Sequence, residues 1–285
     1  MPSHPFTTFS PTNRRQILFL VAGHLLWSCA LLGLGIAGRE LTASPGWSVL
    51  FLVLQFHAAT QLLLPTLQMH PEERTRSFYF FWGTLLGGGI WLINQLTPSD
   101  AWLPLLAALK SGLLLLTATV IGTALARYVR RLWEIIPVCV VMTLADFSSW
   151  RYGPTGEFAE EIRSYYLAPE GPPPLIDMIL VKLALPGSAS IVPVFGISDW
   201  IMVAFFVAVA RRYEINDNLA GPPGHELARP SGFGRYLPVP GVALFVAVLL
   251  ARTTGHFVPA LPLIALVMLS WYAVRFLFRS SSSDD

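Results

Sequence analysis

The sequence predicts an all-α protein, a polytopic transmembrane helix bundle of about eight spans. Three observations carry that expectation. Of the 285 residues, 54% are hydrophobic and only 13% are charged, against about 25% charged in an ordinary soluble domain. The mean hydropathy is +0.57. The apolar residues also fall in runs of about 20, the length a helix needs to cross a bilayer. They show no strict period-2 alternation, so a membrane barrel is not expected.

Taken in order, the first span, 16–37, follows Arg14-Arg15. It is too long for a signal-peptide core and lacks an A-x-A cleavage site, so it reads as an uncleaved anchor. Spans 46–68 and 78–97 come next, the latter with Gly87-Gly88-Gly89, which suits a close helix contact. Span 102–126 contains Lys110, and span 132–150 opens on Glu134 beside Arg130 and Arg131. A Pro- and Gly-rich connection, 151–190, holds Glu157, Glu160, Glu161 and Pro172-Pro173-Pro174. Its apolar piece 175–185 is too short to span and suits a re-entrant, interfacial or extended segment. Span 191–210, a Pro/Gly-rich loop 211–235, and spans 236–252 and 257–279 complete the chain, with 280–285 as a solvated tail. No internal repeat or soluble domain is visible. Residues 1–131 read as N-terminal membrane helices forming a scaffold, and 132–285 as the half that holds the two long connections, 151–190 and 211–235.

A formal net charge of +2 is too balanced for a polyanion partner, so no nucleic acid is expected; the lipid bilayer is the partner composition implies. Cys29 and Cys139 lie in separate apolar runs, which excludes a disulfide framework or zinc cluster. His24 and His57 have no carboxylate or cysteine at ligand spacing, so no metal and no cofactor are expected. With the N-terminus inside, 13 basic residues fall on inner segments and 5 on outer ones, with Lys110 inside a span. The positive-inside rule then puts both termini in the cytoplasm, at the plasma (inner) membrane in a prokaryotic cell.

Of the 17 acidic residues, only Asp146 and Asp199 lie inside apolar spans, and those spans are consecutive. An ionisable residue there costs about 2.5–3.5 kcal/mol on insertion scales and marks a functional site by default. The plainer reading is a hydrogen bond to a neighbouring helix, or a pair with Lys110 or Arg151. Asp146 stands eight residues before Pro154 and Asp199 eight after Ile191, so each is expected roughly 12 Å from the same outer loop. Two such carboxyls would share one proton, as aspartic proteolysis requires: the charged one activates water and the protonated one polarises the scissile carbonyl. Thr143 and Ser149 lie one turn either side of Asp146. Ser198 adjoins Asp199, and Gly196 lies three residues before it, where a small residue permits close backbone approach.

These residues resemble the presenilin and signal peptide peptidase family of intramembrane aspartyl proteases. That family has an Asp in one span, Gly-x-Gly-Asp in the next and Pro-Ala-Leu near the start of the last. The matching residues are Asp146 in LADFSSW, Gly196-Ile197-Ser198-Asp199, and Pro259-Ala260-Leu261. The segment RYGPTGEFAEEIRS is also similar to the stretch that follows the family's first Asp. The resemblance covers roughly 132–279 and implies a presenilin-like C-terminal half. It implies Asp146 and Asp199 as the catalytic dyad, and Pro259, Ala260 and Leu261, with Gly196 and Ser198, as substrate-binding positions. Ala145 stands where the family usually has Tyr, Ser198 replaces the motif's second glycine, and the family typically has nine spans. The implied substrates are transmembrane helices or signal-peptide remnants, here those with a cytoplasmic N-terminus. Strand addition would hold such a substrate extended. For residues 178–185, an enzyme strand and an interfacial helix are both open, the helix slightly favoured. Homo-oligomers or accessory membrane subunits are also open.

Three other readings compete. A glutamic peptidase would place E-E-x-x-x-R on a helix with intramembrane histidines, but Arg163 follows Glu160-Glu161 too soon and His256 stands alone. A rhomboid-type site lacks G-x-S-G in a span. A transporter or catalytically inactive scaffold is the serious rival, because His24, Gln55, His57, Gln61, Asn94 and Lys110 would line a path, although such groups more often bond helices together. Trp133, Trp150 and Trp200 suit interface or packing roles.

Overall fold

A computed structural model describes residues 11–68, 74–96, 102–153, 155–168, 173–188, 190–227, 232–255 and 258–281. Helix α1 (Pro11–Glu40) leads into α2 (Pro45–Gln61), whose start is set by Ser44: its hydroxyl accepts from the Trp47 N–H, and Pro45 follows at the first helical position. After a turn at Leu62 the same rod continues as α3 (Leu63–Gln68). Thr75 caps α4 (Arg76–Gln95) in the same manner as Ser44. Then come α5 (Leu103–Ala126), α6 (Ile135–Tyr152) behind a 3-10 turn at Leu132–Glu134, and α7 (Thr155–Leu167). A second 3-10 turn, Leu175–Ile179, enters strand β1 (Leu180–Leu183). Strand β2 (Val192–Gly196) runs directly into α8 (Ile197–Arg212), followed by α9 (Gly224–Leu227), α10 (Val239–Thr254) and α11 (Ala260–Ser281).

The architecture is mostly helical. Arg15–Glu40, Pro45–Gln68, Leu103–Ala126 and Leu132–Tyr152 are long and apolar enough to cross a membrane, and Val239–Thr254 and Ala260–Arg275 are shorter apolar helices. Large apolar side chains face outward on α1 (Leu18, Phe19, Leu26) and on α4 (Phe80, Phe81, Trp91), as a lipid-facing surface requires.

The all-α expectation needs one correction. Residues 191–210 are not one helix: 192–196 form a strand, and the helix begins only at Ile197. Apolar β-branched residues around Pro193 cannot be told from a helix by hydropathy; Gly196 disfavours helix here, and β-branched Ile191, Val192 and Val194 favour strand. Strand β2 pairs antiparallel with β1, with a bulge between Val181 and Lys182. The slightly favoured interfacial helix over 178–185 is likewise replaced by the end of a 3-10 turn and a strand. Glu160-Glu161 lies on α7 rather than in a loop.

Helix α5 is the centre of the bundle, packed against α8, α1, α4 and β1. Small side chains let it be surrounded. A Cβ at Gly122 would stand 2.3 Å from the Ile201 carbonyl oxygen and 2.8 Å from Ala204 Cβ on α8, so the two backbones touch there. Trp200 on α8 is fully buried and donates its indole N–H to Thr119 Oγ1 on α5 at 3.1 Å; it serves packing, whereas Trp133 is exposed. Arg212 donates to the carbonyls of Ala126 and Arg127, closing the C-terminus of α5. On α11, Tyr272 donates to the Phe206 carbonyl, and α6 packs chiefly on α11. Of Gly87-Gly88-Gly89, the first two have nothing near their Cβ positions, whereas a Cβ at Gly89 would meet Leu113 Cδ2 of α5 at 3.3 Å, so the close helix contact is made by Gly89 alone of the three.

The 211–235 connection is folded down onto α2 and α3. Gln61 donates to the Tyr236 carbonyl at 2.7 Å and accepts from the Gly234 N–H at 3.0 Å. Tyr236 Oη donates to Asp217 Oδ2, and burial pushes the Asp217 carboxyl up to about 6. An acid whose folded-state value is raised stabilises the fold when protonated, and that contribution is lost as pH rises through the raised value.

Two outcomes follow from this packing. Gly122→Val is expected to destabilise the bundle by about 2 kcal/mol or more, read as a lower thermal midpoint in detergent. Asp217→Asn keeps an acceptor for Tyr236 and removes the buried charge. It is expected to melt a few degrees above wild type at about pH 7.5 and to lose that advantage at about pH 4.

Candidate functional site

Asp146 and Asp199 reach the same place from different directions. Asp146 projects from the C-terminal half of α6 and is half-buried. Asp199 sits in the first turn of α8, not eight residues into a span, so the equal-depth arrangement of two antiparallel helices is replaced by a mid-helix acid facing a helix-start acid. Its carboxylate is anchored locally: the Gly196 N–H donates to Oδ2 at 2.9 Å. That bond satisfies a donor at the strand-to-helix junction and fixes the side-chain direction.

Both acids line one cavity of about 450 Å³ and lie within electrostatic range of each other. The walls are otherwise nearly all apolar. Beta-strand residues from Pro193 to Gly196 form one side, with Ile179 and Leu180 next to them; Ala247, Val248 and Ala251 of α10 form another. Ser149 and Ser198 also line it, and Ser198 is exposed. Thr143 does not.

The start of α11 closes the third side. Val258 and Ala260 line the cavity, Pro259 stands half-buried between them, and the Leu261 backbone N–H is directed at the Asp146 carboxyl. Asp146 Oδ2 is buried with no hydrogen-bond partner. A carboxyl oxygen left bare in an apolar cavity is costly and is available to a water or a carbonyl group. A Cβ at Gly196 would stand 3.2 Å from Ser198 Oγ and 3.6 Å from Asp199 Oδ2, so its smallness keeps space beside the acid.

The roof went unread in the sequence. Helix α7 turns Phe158 and Ile162 into the cavity while Glu157, Glu160, Glu161 and Arg163 face out. The spacing Phe158, Ile162, Tyr165, Tyr166 is the i, i+4, i+7/8 signal of an amphipathic helix. Beyond it, Tyr166 donates to Asp177 Oδ1 at 2.9 Å, and Lys182 Nζ meets Asp177 Oδ2 at 2.6 Å. Lys110 donates to the Asp177 carbonyl at 3.1 Å. Lys110 therefore neutralises Asp177 and neither of the two cavity acids. Burial and the adjacent carboxylate push the Tyr166 phenol well above its usual value. His256 and Pro154 lie outside the described residues.

No family model, no curated protein and no solved structure matches the chain.

The geometry makes Ser198 the accessible face of the cavity and Trp200 its buried neighbour. A cysteine at Ser198 is expected to react readily with a water-soluble maleimide in the detergent-solubilised protein, and a cysteine at Trp200 to stay unlabelled.

Proposed function

We propose that the protein is an intramembrane aspartyl protease with Asp146 and Asp199 as its catalytic dyad. One observation supports this above the others: two acids and the Pro259-Ala260-Leu261 segment, far apart in sequence, border a single apolar cavity. The motif order that resembles presenilin and signal peptide peptidase supports it independently. The eight-span arrangement belongs to the same reading, with β2 and α8 together making the crossing that follows the outer loop.

In this mechanism one carboxyl is ionised and one protonated. The ionised group takes a proton from a water, whose oxygen attacks the scissile carbonyl carbon. The protonated group donates to the carbonyl oxygen as it gains charge. Collapse of the tetrahedral intermediate breaks the C–N bond, and the amine leaves with a proton returned by the dyad. A helix must first be unwound to expose that bond. Strand β2 offers the partner: among the described residues, no group of another element is hydrogen-bonded to Val192–Phe195 on the side away from β1. Substrate backbone added there runs beside Asp199. The apolar walls suit transmembrane-helix or signal-peptide remnants, and the basic-residue distribution favours those with a cytoplasmic N-terminus.

The test is cleavage of a helical membrane substrate by the full chain in detergent. Asp146→Ala and Asp199→Ala are each expected to lower the rate by about 10²–10⁴-fold or more. Cleavage that survives either change rejects the dyad. A wild-type chain that neither cleaves nor binds a transition-state analogue leaves the scaffold or transporter reading.

A further inference from the structure

We infer that Gln55, on α2, is a positioning residue for the sheet that carries Asp199, its side-chain amide standing in for a third strand on the outer edge of β1. The inference rests on Asp199 being a member of the proposed dyad.

The geometry is that of a ladder. Gln55 Nε2 donates to the Ala184 carbonyl at 2.9 Å, and Gln55 Oε1 accepts from the Ala184 N–H at 2.8 Å. This reciprocal pair is how one strand residue greets its neighbour in an antiparallel sheet. Two residues earlier on the same edge, the Lys182 N–H donates to Ser111 Oγ of α5 at 3.0 Å. On this edge the N–H groups of Lys182 and of Ala184, just beyond the strand, are thus both taken by helix side chains. The second Gln55 donor goes to the Phe51 carbonyl at 2.8 Å, which fixes the rotamer, and the residue is 2% exposed. The next side chain on α2, Phe56, packs on Phe195 of β2 with ring centroids 5.5 Å apart. One turn of α2 therefore grips both strands.

The sheet needs that grip. Two strands alone are marginal, Pro193 has no N–H to give, and the bulge between Val181 and Lys182 interrupts the ladder. A one-residue slip would turn every side chain to the other face and carry Lys182 away from Asp177. Gly196 pairs with Leu180 and also holds Asp199 Oδ2, so a slip would be transmitted to the acid within three residues.

The experiment compares the full chain in detergent with Gln55→Leu and Gln55→Glu, by amide hydrogen exchange over 180–196 and by cleavage kinetics. Gln55→Leu is expected to speed exchange in this segment about tenfold, with α5 and α8 unchanged, and to lower kcat by about tenfold in a chain that still unfolds cooperatively. Gln55→Glu offers both donor and acceptor only when protonated, so it should recover protection and kcat as pH falls, which a purely structural role would not produce. Exchange unchanged in Gln55→Leu overturns the inference, and so does faster exchange with wild-type kcat. If Gln55→Leu does not fold, Ser111→Ala removes the other edge acceptor and is read in the same way. A wild-type chain without peptidase activity sinks the proposed function, while the exchange result and its pH dependence still decide whether Gln55 holds the sheet.

Discussion

A peptide group that leaves helical geometry inside an apolar bundle must find a partner, because no water is there to supply one. That constraint organises this molecule. The chain abandons the helix for two short strands between α7 and α8, and what surrounds those strands exists to meet their hydrogen bonds. Strand β1 is sealed by Gln55 and Ser111. Gly196, where β2 ends, is met by Asp199 itself. The side of β2 away from β1 is left without a bond from another element among the described residues, and it borders the cavity. An unsealed edge beside two carboxyls is a liability in a resting structural protein and an asset in one that must hold an unwound helix.

The cluster around Asp177 solves a related problem. Two lysines and one carboxylate leave an excess positive charge, and taking such charges out of water is expensive. Here the carboxylate is saturated from three sides, by Tyr166 of α7, Lys182 of β1 and, at 3.7 Å, Lys110 of α5. The Lys182 ammonium also stands 5.4 Å over the Tyr166 ring. Such a knot adds little net stability compared with apolar packing, but it is specific: it joins roof, sheet and central helix in one arrangement, and loss of Asp177 would strand two buried ammonium groups.

Much of this was legible in the sequence, for identifiable reasons. Long apolar runs located most of the helices, and the rarity of acids within those runs singled out Asp146 and Asp199, which line one cavity, while the buried Asp177 and Asp217 were read as loop residues. The strand at 192–196 was not legible because a run of Ile, Val and Phe has the same hydropathy in either conformation; Gly196 and the β-branched side chains were the available clues. The roof helix α7 was hidden inside a segment that looked like a Pro/Gly-rich loop, although its Phe158–Ile162–Tyr166 spacing is helical. Gln55 was visible only as one scattered polar group, since its partner lies 129 residues away and no local pattern points across such a distance.

The placement of Asp199 at a strand-to-helix junction changes how the acid pair is to be understood. Two mid-helix carboxyls would be held by helix packing alone and would move as the helices move. An acid in the first turn of α8 is instead held by the backbone at Gly196, and through the sheet by α2 and α5, while its helix is locked to α5 at Gly122. Asp146 has a different support: α6 leans chiefly on α11, and a backbone N–H of α11 faces its carboxyl. The acids thus belong to separately braced parts of the molecule, α5–α8 with the sheet on one side and α6–α11 on the other. Their separation is set by how those parts pack across α8, α10 and α11. Under the proposed dyad, proton sharing depends steeply on that separation, and the packing of α11 against α8 is what sets it. The polar atoms best placed to govern that packing are the Tyr272 hydroxyl on the Phe206 carbonyl and the Trp271 indole on the Asn216 carbonyl, which tie α11 to α8 and to the segment that follows it.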